Sequence, residues 1–267
     1  FEHPERPIVF LSACYFLVSM GYLVRVFVGH EATACDGNAI IYSSTGPNTC
    51  TLVFLLIYFF GMASSIWWVV LSFTWFLAAG LKWGNEAIAS LAQYFHTAAW
   101  VIPTIQTVVV LLSGGVDGDP VSGICYVGNM NMDNLKNFVL IPLVIYLMLG
   151  TSFLFAGFVS LFRIRNVIKK QGGDGGSKAD KLEKLMIRIG VFSVLYTVPA
   201  TIVIGCYLYE STYHDEWLAP LACPCENNSL GPKSRPRPRP IYFVLMLKYF
   251  MALAVGITSG VWIWRGK

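Results

Sequence analysis

Charge is scarce in this chain. Of its 267 residues 13% are Asp, Glu, Lys or Arg, against 55% hydrophobic, and the mean hydropathy is +0.59. Ordinary soluble domains carry about 25% charge, so the shortage points to an integral membrane protein. The net charge of +4 is spread through loops and gives no basic face for nucleic acid. Histidine is also rare, and His96, beside Tyr94 and Phe95, is the only one of the four that falls in an apolar run. With no second ligand or nucleophile beside it, His96 reads as an interfacial side chain, so no metal site, cofactor or serine-histidine hydrolase is expected. No Met or signal peptide opens the chain; Phe-Glu-His-Pro-Glu-Arg-Pro reads as a loop cut open, and a fragment is expected.

Six apolar runs stand out, at about 8–29, 51–80, 94–113, 138–162, 189–209 and 241–264. Each approaches the roughly 20 residues that cross a bilayer core at about 1.5 Å per residue. They are continuous rather than alternating, which favours helices over barrel strands. The expected fold is therefore an all-α membrane bundle. No Asp or Glu falls within these limits, which weakens the case for ion-coupled transporters, proton pumps and intramembrane aspartyl proteases.

Lys and Arg set the orientation. Arg6, Lys82, Arg163, Arg165, Lys169, Lys170, Lys178, Lys181, Lys184, Arg188, Arg265 and Lys267 lie on one side, which the positive-inside rule makes cytoplasmic. Lys233, Arg235, Arg237 and Arg239 count against that orientation, in an outer loop taken as 210–240. The inner loop, 163–188, is expected to be two helical extensions joined by a glycine tether at 172–176, facing anionic lipid or a cytoplasmic partner. Cys35, Cys50, Cys125, Cys223 and Cys225 lie in or beside outer loops, in an oxidising compartment. Cys50 opens the second run and Cys125 lies in the next outer loop, so one disulfide is expected to tie that loop to the bundle; partners for Cys35, Cys223 and Cys225 stay open. Asn227-Asn228-Ser229 is a glycosylation sequon on the same side.

Within the runs, Lys248 and Arg25 are expected to snorkel towards the outer face, with a cavity lining as the alternative. Gly61-xxx-Ser65 and Gly256-xxx-Gly260 suggest close helix contacts. Pro199 is either a hinge or a plain bend. Before the fifth run, Leu182, Leu185, Met186 and Ile189 form an apolar stripe that Lys181, Glu183 and Lys184 avoid, and Arg188 sits where the chain turns wholly apolar. Trp262, about 31 Å down the last run, reaches a similar depth. Two readings remain: a guanidinium-indole contact of about 1–2 kcal/mol, or a snorkelling Arg and a belt Trp that need not touch.

Tyr58-Phe59-Phe60-Gly61-Met62-Ala63-Ser64-Ser65-Ile66-Trp67-Trp68, Lys82-Trp83-Gly84-Asn85-Glu86-Ala87-Ile88, Cys125-Tyr126-Val127-Gly128, Leu195-Tyr196-Thr197-Val198-Pro199-Ala200 and Val255 to Trp264 stand in one order along the chain. In these stretches it resembles the membrane core of Frizzled receptors, and Asp117-Gly118-Asp119-Pro120 with Asn85 looks most like the five and eight subgroup. The resemblance implies a seven-transmembrane helical bundle, six spans of which are present here, in a multi-pass receptor of the plasma membrane with a cytoplasmic C-terminus. It implies Wnt ligands, captured through an absent upstream cysteine-rich domain, and signalling to Dishevelled through movement of the 178–212 helix. A heterotrimeric G protein and an LRP-type co-receptor are further partners it suggests, together with membrane lipids. Arg188 and Trp262 match the family's resting switch, and Cys50 and Cys125 match its usual bridge. Lys82, Arg163, Arg165, Lys169, Lys170, Lys181, Lys184 and Lys267 would form the cytoplasmic partner surface. The family's Lys-Thr-xxx-Trp motif is cut after Lys267, and Arg265 stands where serine is usual, so the fragment alone is expected neither to capture Wnt normally nor to signal fully. The alternatives are a lipid or sterol carrier and a Smoothened-like receptor.

The sequon is directly testable. Removing N-linked glycans from the cell-expressed protein should lower its apparent mass, and Asn227→Gln should abolish the difference; an unchanged mass means that Asn227 is not used.

Overall fold

The computed structural model describes residues 6–36, 39–41, 47–170, 175–222 and 239–265; within these, the side chains of 6, 39, 85, 175–183, 185–187, 189–190, 218–222, 259 and 261–265 lie outside the description. The chain is almost wholly helical: α1 (Arg6–Val28), α2 (His30–Ala34), α3 (Asn48–Phe54), α4 (Phe60–Trp75), α5 (Asn85–Ser90), α6 (Ala92–Leu112), α7 (Met132–Leu135), α8 (Ile141–Lys170), α9 (Gly175–Ala222) and α10 (Tyr242–Arg265). π-helical turns at Leu55–Phe59 and Phe76–Gly80 continue α3 through α4, and one at Lys136–Leu140 continues α7 into α8. Two short antiparallel hairpins complete the described residues: β1 (Cys35–Asp36) with β2 (Ala39–Ile40), and β3 (Val116–Gly118) with β4 (Cys125–Val127).

Five rods are long and apolar enough to cross a membrane: Pro7–Val28, Asn48–Gly80, Ala92–Leu112, Met132–Lys170 and Val191–Trp217. A shorter apolar stretch, Tyr242–Thr258, lies in α10. The protein is thus an all-α helical membrane bundle. α9 differs from expectation. It continues as helix through Ala222, and its apolar stretch extends past 209 to include Glu210. The absence of carboxylates from the spans is corrected accordingly. Gly175 and Gly176 open α9 instead of serving as tether, while 172–174 lie outside the described residues.

α1 packs on α4 and α10, α10 on α9, α9 on α8, and α8 on α4, which closes a ring; α6 packs on α4 from outside. The Asn48–Gly80 rod is the hub, with 61% of its apolar window buried against 22–28% for the other four. Adjacent residues on it face opposite neighbours. Trp67 stacks on Phe10 of α1 at 4.6 Å and meets His96 and Trp100 of α6 edge-on. Trp68 stacks on Tyr196 of α9 at 4.5 Å, and its indole fills the space over Gly150 of α8.

In lipid there is little hydrophobic drive between helices, so shape must hold them together. A Cβ at Gly150 would lie 1.9 Å from Trp68, and one at Gly157 would lie 2.7 Å from Nε1 of Trp75. Tryptophans and glycines repeat at the same interval of two helical turns, which makes one matched seam of knobs and notches. The small-residue pairs expected to pack closely do so only in part. Gly61 has nothing within 4 Å and lines a cavity, and Gly260 faces open space; Gly256 does pack, against Tyr15.

Pro142 accounts for a further link. It has no N–H for the carbonyl of Phe138, one helical turn earlier. The hydroxyl of Tyr58 donates to that carbonyl at 2.8 Å, tying the α4 rod to the entry of α8.

Gly150→Ala should force Trp68 out of its notch at a cost of about 1–3 kcal/mol, lowering the thermal unfolding temperature in micelles. Gly205→Ala, where a Cβ meets nothing within 4 Å, should leave that temperature unchanged or raise it slightly; equal effects of the two variants would refute the interlock.

Candidate functional site

The ring of helices surrounds a partly open cavity of about 130 Å³. Its wall is aromatic, with Trp68, Tyr15 and Tyr22 of α1, Tyr146 of α8, Tyr196 and Tyr207 of α9 and Tyr249 of α10 among its lining residues. Ser64 and Ser65 donate to the carbonyl of Gly61, so their hydroxyls are satisfied along the helix that borders the cavity.

The β3–β4 hairpin closes one end. Cys125 on β4 is joined to Cys50 on α3, with their Cα atoms 5.2 Å apart, so the hairpin is fastened to the head of the α4 rod across 75 residues of sequence. Closing a loop of that length contributes about 4 kcal/mol in the chain-entropy account. Gly118 is required there because a Cβ would meet the carbonyl of Ala34 at 2.5 Å, and its N–H donates to Ile41. Tyr126 and Asp119 then reach from the hairpin into the cavity lining.

Among the described residues, four charged side chains are buried: Asp117, Asp119, Glu210 and Lys248. Asp117 accepts from the N–H groups of Met130 at 2.9 Å and Asn129 at 3.3 Å, which binds the hairpin to the segment leading into α7. Asp119 accepts from the N–H of Val121 and the hydroxyl of Ser122 within its own turn, and from the hydroxyl of Tyr249 on α10. Lys248, beside Tyr249, pairs with Glu210 of α9 at 2.8 Å. Of the two readings held for Lys248, snorkelling and cavity lining, the structure gives the second: Lys248 borders the cavity with its ammonium on a carboxylate rather than in the interface. Arg25 is half-buried, with its guanidinium against Gly123 of the hairpin turn.

At the opposite end lie the expected basic residues. Lys82, in a left-handed conformation (φ 56°), follows the α4 rod and is exposed. Ser160 donates to the carbonyl of Gly80 at 3.3 Å, bringing α8 alongside. Arg163, Lys169, Lys170, Lys184 and Arg188 are exposed, and Arg165 is half-buried with its guanidinium 5.9 Å from the Phe162 ring. The side chains of Lys181 and Trp262, and residues Asn227 and Lys267, lie outside the description, so the Arg188–Trp262 contact does too. His96 takes part in aromatic packing with Phe10 and Trp67.

Sequence reasoning missed Glu210–Lys248, Asp119–Tyr249 and the Gly150 and Gly157 notches. Glu210 lay one residue beyond the assumed end of its run. The shared seven-residue interval of Trp68 with Trp75 and Gly150 with Gly157 was a legible signal for the seam.

A closed helical ring, a hairpin fastened over an internal cavity and five apolar rods define a multi-pass α-helical membrane protein. The whole chain, residues 1–267, matches the Frizzled/Smoothened family membrane region. It is 72% identical to Frizzled-2 of Drosophila melanogaster, 65% to Frizzled-5 of Homo sapiens and 64% to Frizzled-8 of Xenopus laevis, with all of this chain covered in each case. The chain belongs to the Frizzled/Smoothened family. It spans 38%, 45% and 46% of those three relatives, which is less than half of each.

Asp117 supplies a pH test. Burial, aided by Asp119, raises its carboxyl from 3.8 to about 6 against the pull of the backbone donors. The folded state therefore holds this proton more tightly than the unfolded state. Its stabilising contribution is complete below about pH 4 and is lost as pH rises through about 6, a change of about 3 kcal/mol at most. Between pH 4 and 7 the unfolding temperature should fall relative to that of Asp117→Asn; parallel profiles would contradict this.

Proposed function

We propose that this chain is the membrane core of a Frizzled-type receptor for Wnt proteins, and that movement of α9 passes extracellular engagement to cytoplasmic Dishevelled. The observation that carries the reading is the continuity of α9. One helix of 48 residues, about 70 Å long at about 1.5 Å per residue, joins Glu210 at the hairpin end to Lys184 and Arg188 at the basic end. The helix runs unbroken through Pro199, so a displacement at one end of the rod is carried to the other, as a shift or as a bend at Pro199.

The orientation follows from the positive-inside rule, with the hairpin extracellular and the basic end and C-terminus cytoplasmic. Exposed Lys82, Arg163, Lys169, Lys170 and Lys184 then offer a cationic surface to an acidic partner or to anionic lipid. Arg188 and Trp262 serve as the resting contact between α9 and α10, which are packed neighbours. Wnt capture belongs to sequence upstream of this chain, and a G protein and an LRP-type co-receptor complete the proposed partners. A lipid or sterol carrier is the weaker reading. The cavity of about 130 Å³ falls below the roughly 300–1,000 Å³ of sites for drug-sized ligands.

In the complete receptor, Arg188→Ala and Trp262→Ala should each raise basal recruitment of Dishevelled at equal surface expression. Unchanged recruitment in both would sink the switch.

A further inference from the structure

Lys248 has the surroundings of a bound amine. Its ammonium lies 2.8 Å from Glu210 and 4.9 Å from the centroids of both the Tyr207 and Tyr249 rings. A carboxylate and two aromatic faces are what an amine-binding cage provides, and here the occupant is the chain's own side chain. The depths agree: Glu210 lies seven residues before Trp217 and Lys248 seven after Ile241, each about 10 Å along its helix from the hairpin end. A buried ion pair adds little net stability, because desolvating both charges opposes their attraction. Separating the partners is another matter, since each would be left charged in an apolar wall. The pair therefore restrains α9 against α10 more than it stabilises the fold.

The next residue pulls the other way. Tyr249 donates its hydroxyl to Asp119, whose carboxylate is already oriented by Val121 and Ser122 of its own turn. One turn of α10 is thus tied to the disulfide-anchored hairpin and to α9 together. We infer that Lys248 is a tethered cation that latches α9 to α10, and that the hairpin, holding the same turn of α10 through Asp119 and Tyr249, sets whether the latch stays closed. This rests on the proposed role of α9 as the moving helix, and supplies the device that restrains it.

The test uses the complete receptor at equal surface expression. Lys248→Ala should lower the unfolding temperature and raise basal Dishevelled recruitment at least about fivefold, the low end for coupled sites. Because Lys248 borders the cavity, n-propylammonium should refill the cage and reverse both effects, whereas n-propanol and tetramethylammonium should not. The double variant Lys248→Met with Glu210→Gln removes both charges, which keeps the test valid if Lys248→Ala does not fold; it should show raised recruitment with a near-normal unfolding temperature. Wild-type recruitment in the double variant, or equal rescue by propanol, would overturn the latch. Arg188→Ala is measured in parallel. If it raises recruitment and the double variant does not, the latch fails while α9 remains the moving helix. If n-propylammonium restores the unfolding temperature of Lys248→Ala while neither Arg188→Ala nor the double variant alters recruitment, the lever reading fails and the regulatory latch falls with it.

Discussion

Trp68 fits only because position 150 carries no side chain. Its indole lies over Gly150 of α8 on one side and stacks on Tyr196 of α9 on the other, so a single residue of the central rod sets the spacing of three helices. Lipid tails solvate leucine as well as a neighbouring helix does, and a bundle held by general apolarity alone would slide. The notch removes that freedom. Trp67, one residue earlier, does the same towards α1 and α6 by stacking on Phe10 and meeting Trp100 edge-on. The Trp67-Trp68 pair thereby holds the central rod against its neighbours on two sides, and Trp68 forms part of the cavity wall.

Burial also governs where polarity is tolerated. The four buried charges of the described residues gather at the hairpin end, each answered by a partner within the chain. In a low-dielectric wall an unanswered charge is costly, while a paired one is held to its partner. The hairpin end is therefore stiffly cross-connected, by a disulfide and by carboxylates reaching to α10 and to the segment before α7. At the basic end Lys82, Arg163, Lys169, Lys170, Lys184 and Arg188 are exposed and Arg165 is half-buried.

Much of this was legible in the sequence. Continuous apolar runs over a chain poor in charge gave a helical membrane bundle, because only segments that satisfy their own backbone survive in lipid. The motif stretches around Tyr58 to Trp68 and Cys125 to Gly128 led to the family. What stayed hidden were contacts made in three dimensions between residues that look ordinary in one. Lys248 read as a snorkelling lysine because its partner sits 38 residues away on another helix, just beyond an assumed boundary. Gly61 read as a packing notch and lines the cavity, whereas Gly150 drew no notice and carries the tightest contact. Spacing along a helix gives the face a residue occupies, not what stands opposite it.

The central claim is that the hairpin end controls where α9 stands at the basic end. The most direct measurement is the distance distribution between spin labels attached at Lys82 and Lys184, both exposed, by pulsed electron resonance in the complete receptor and in its Tyr249→Phe variant. Tyr249→Phe removes one hydroxyl from the hairpin tie and leaves the basic end untouched. The account predicts a shifted or broadened distribution in the variant; superimposable distributions would contradict it.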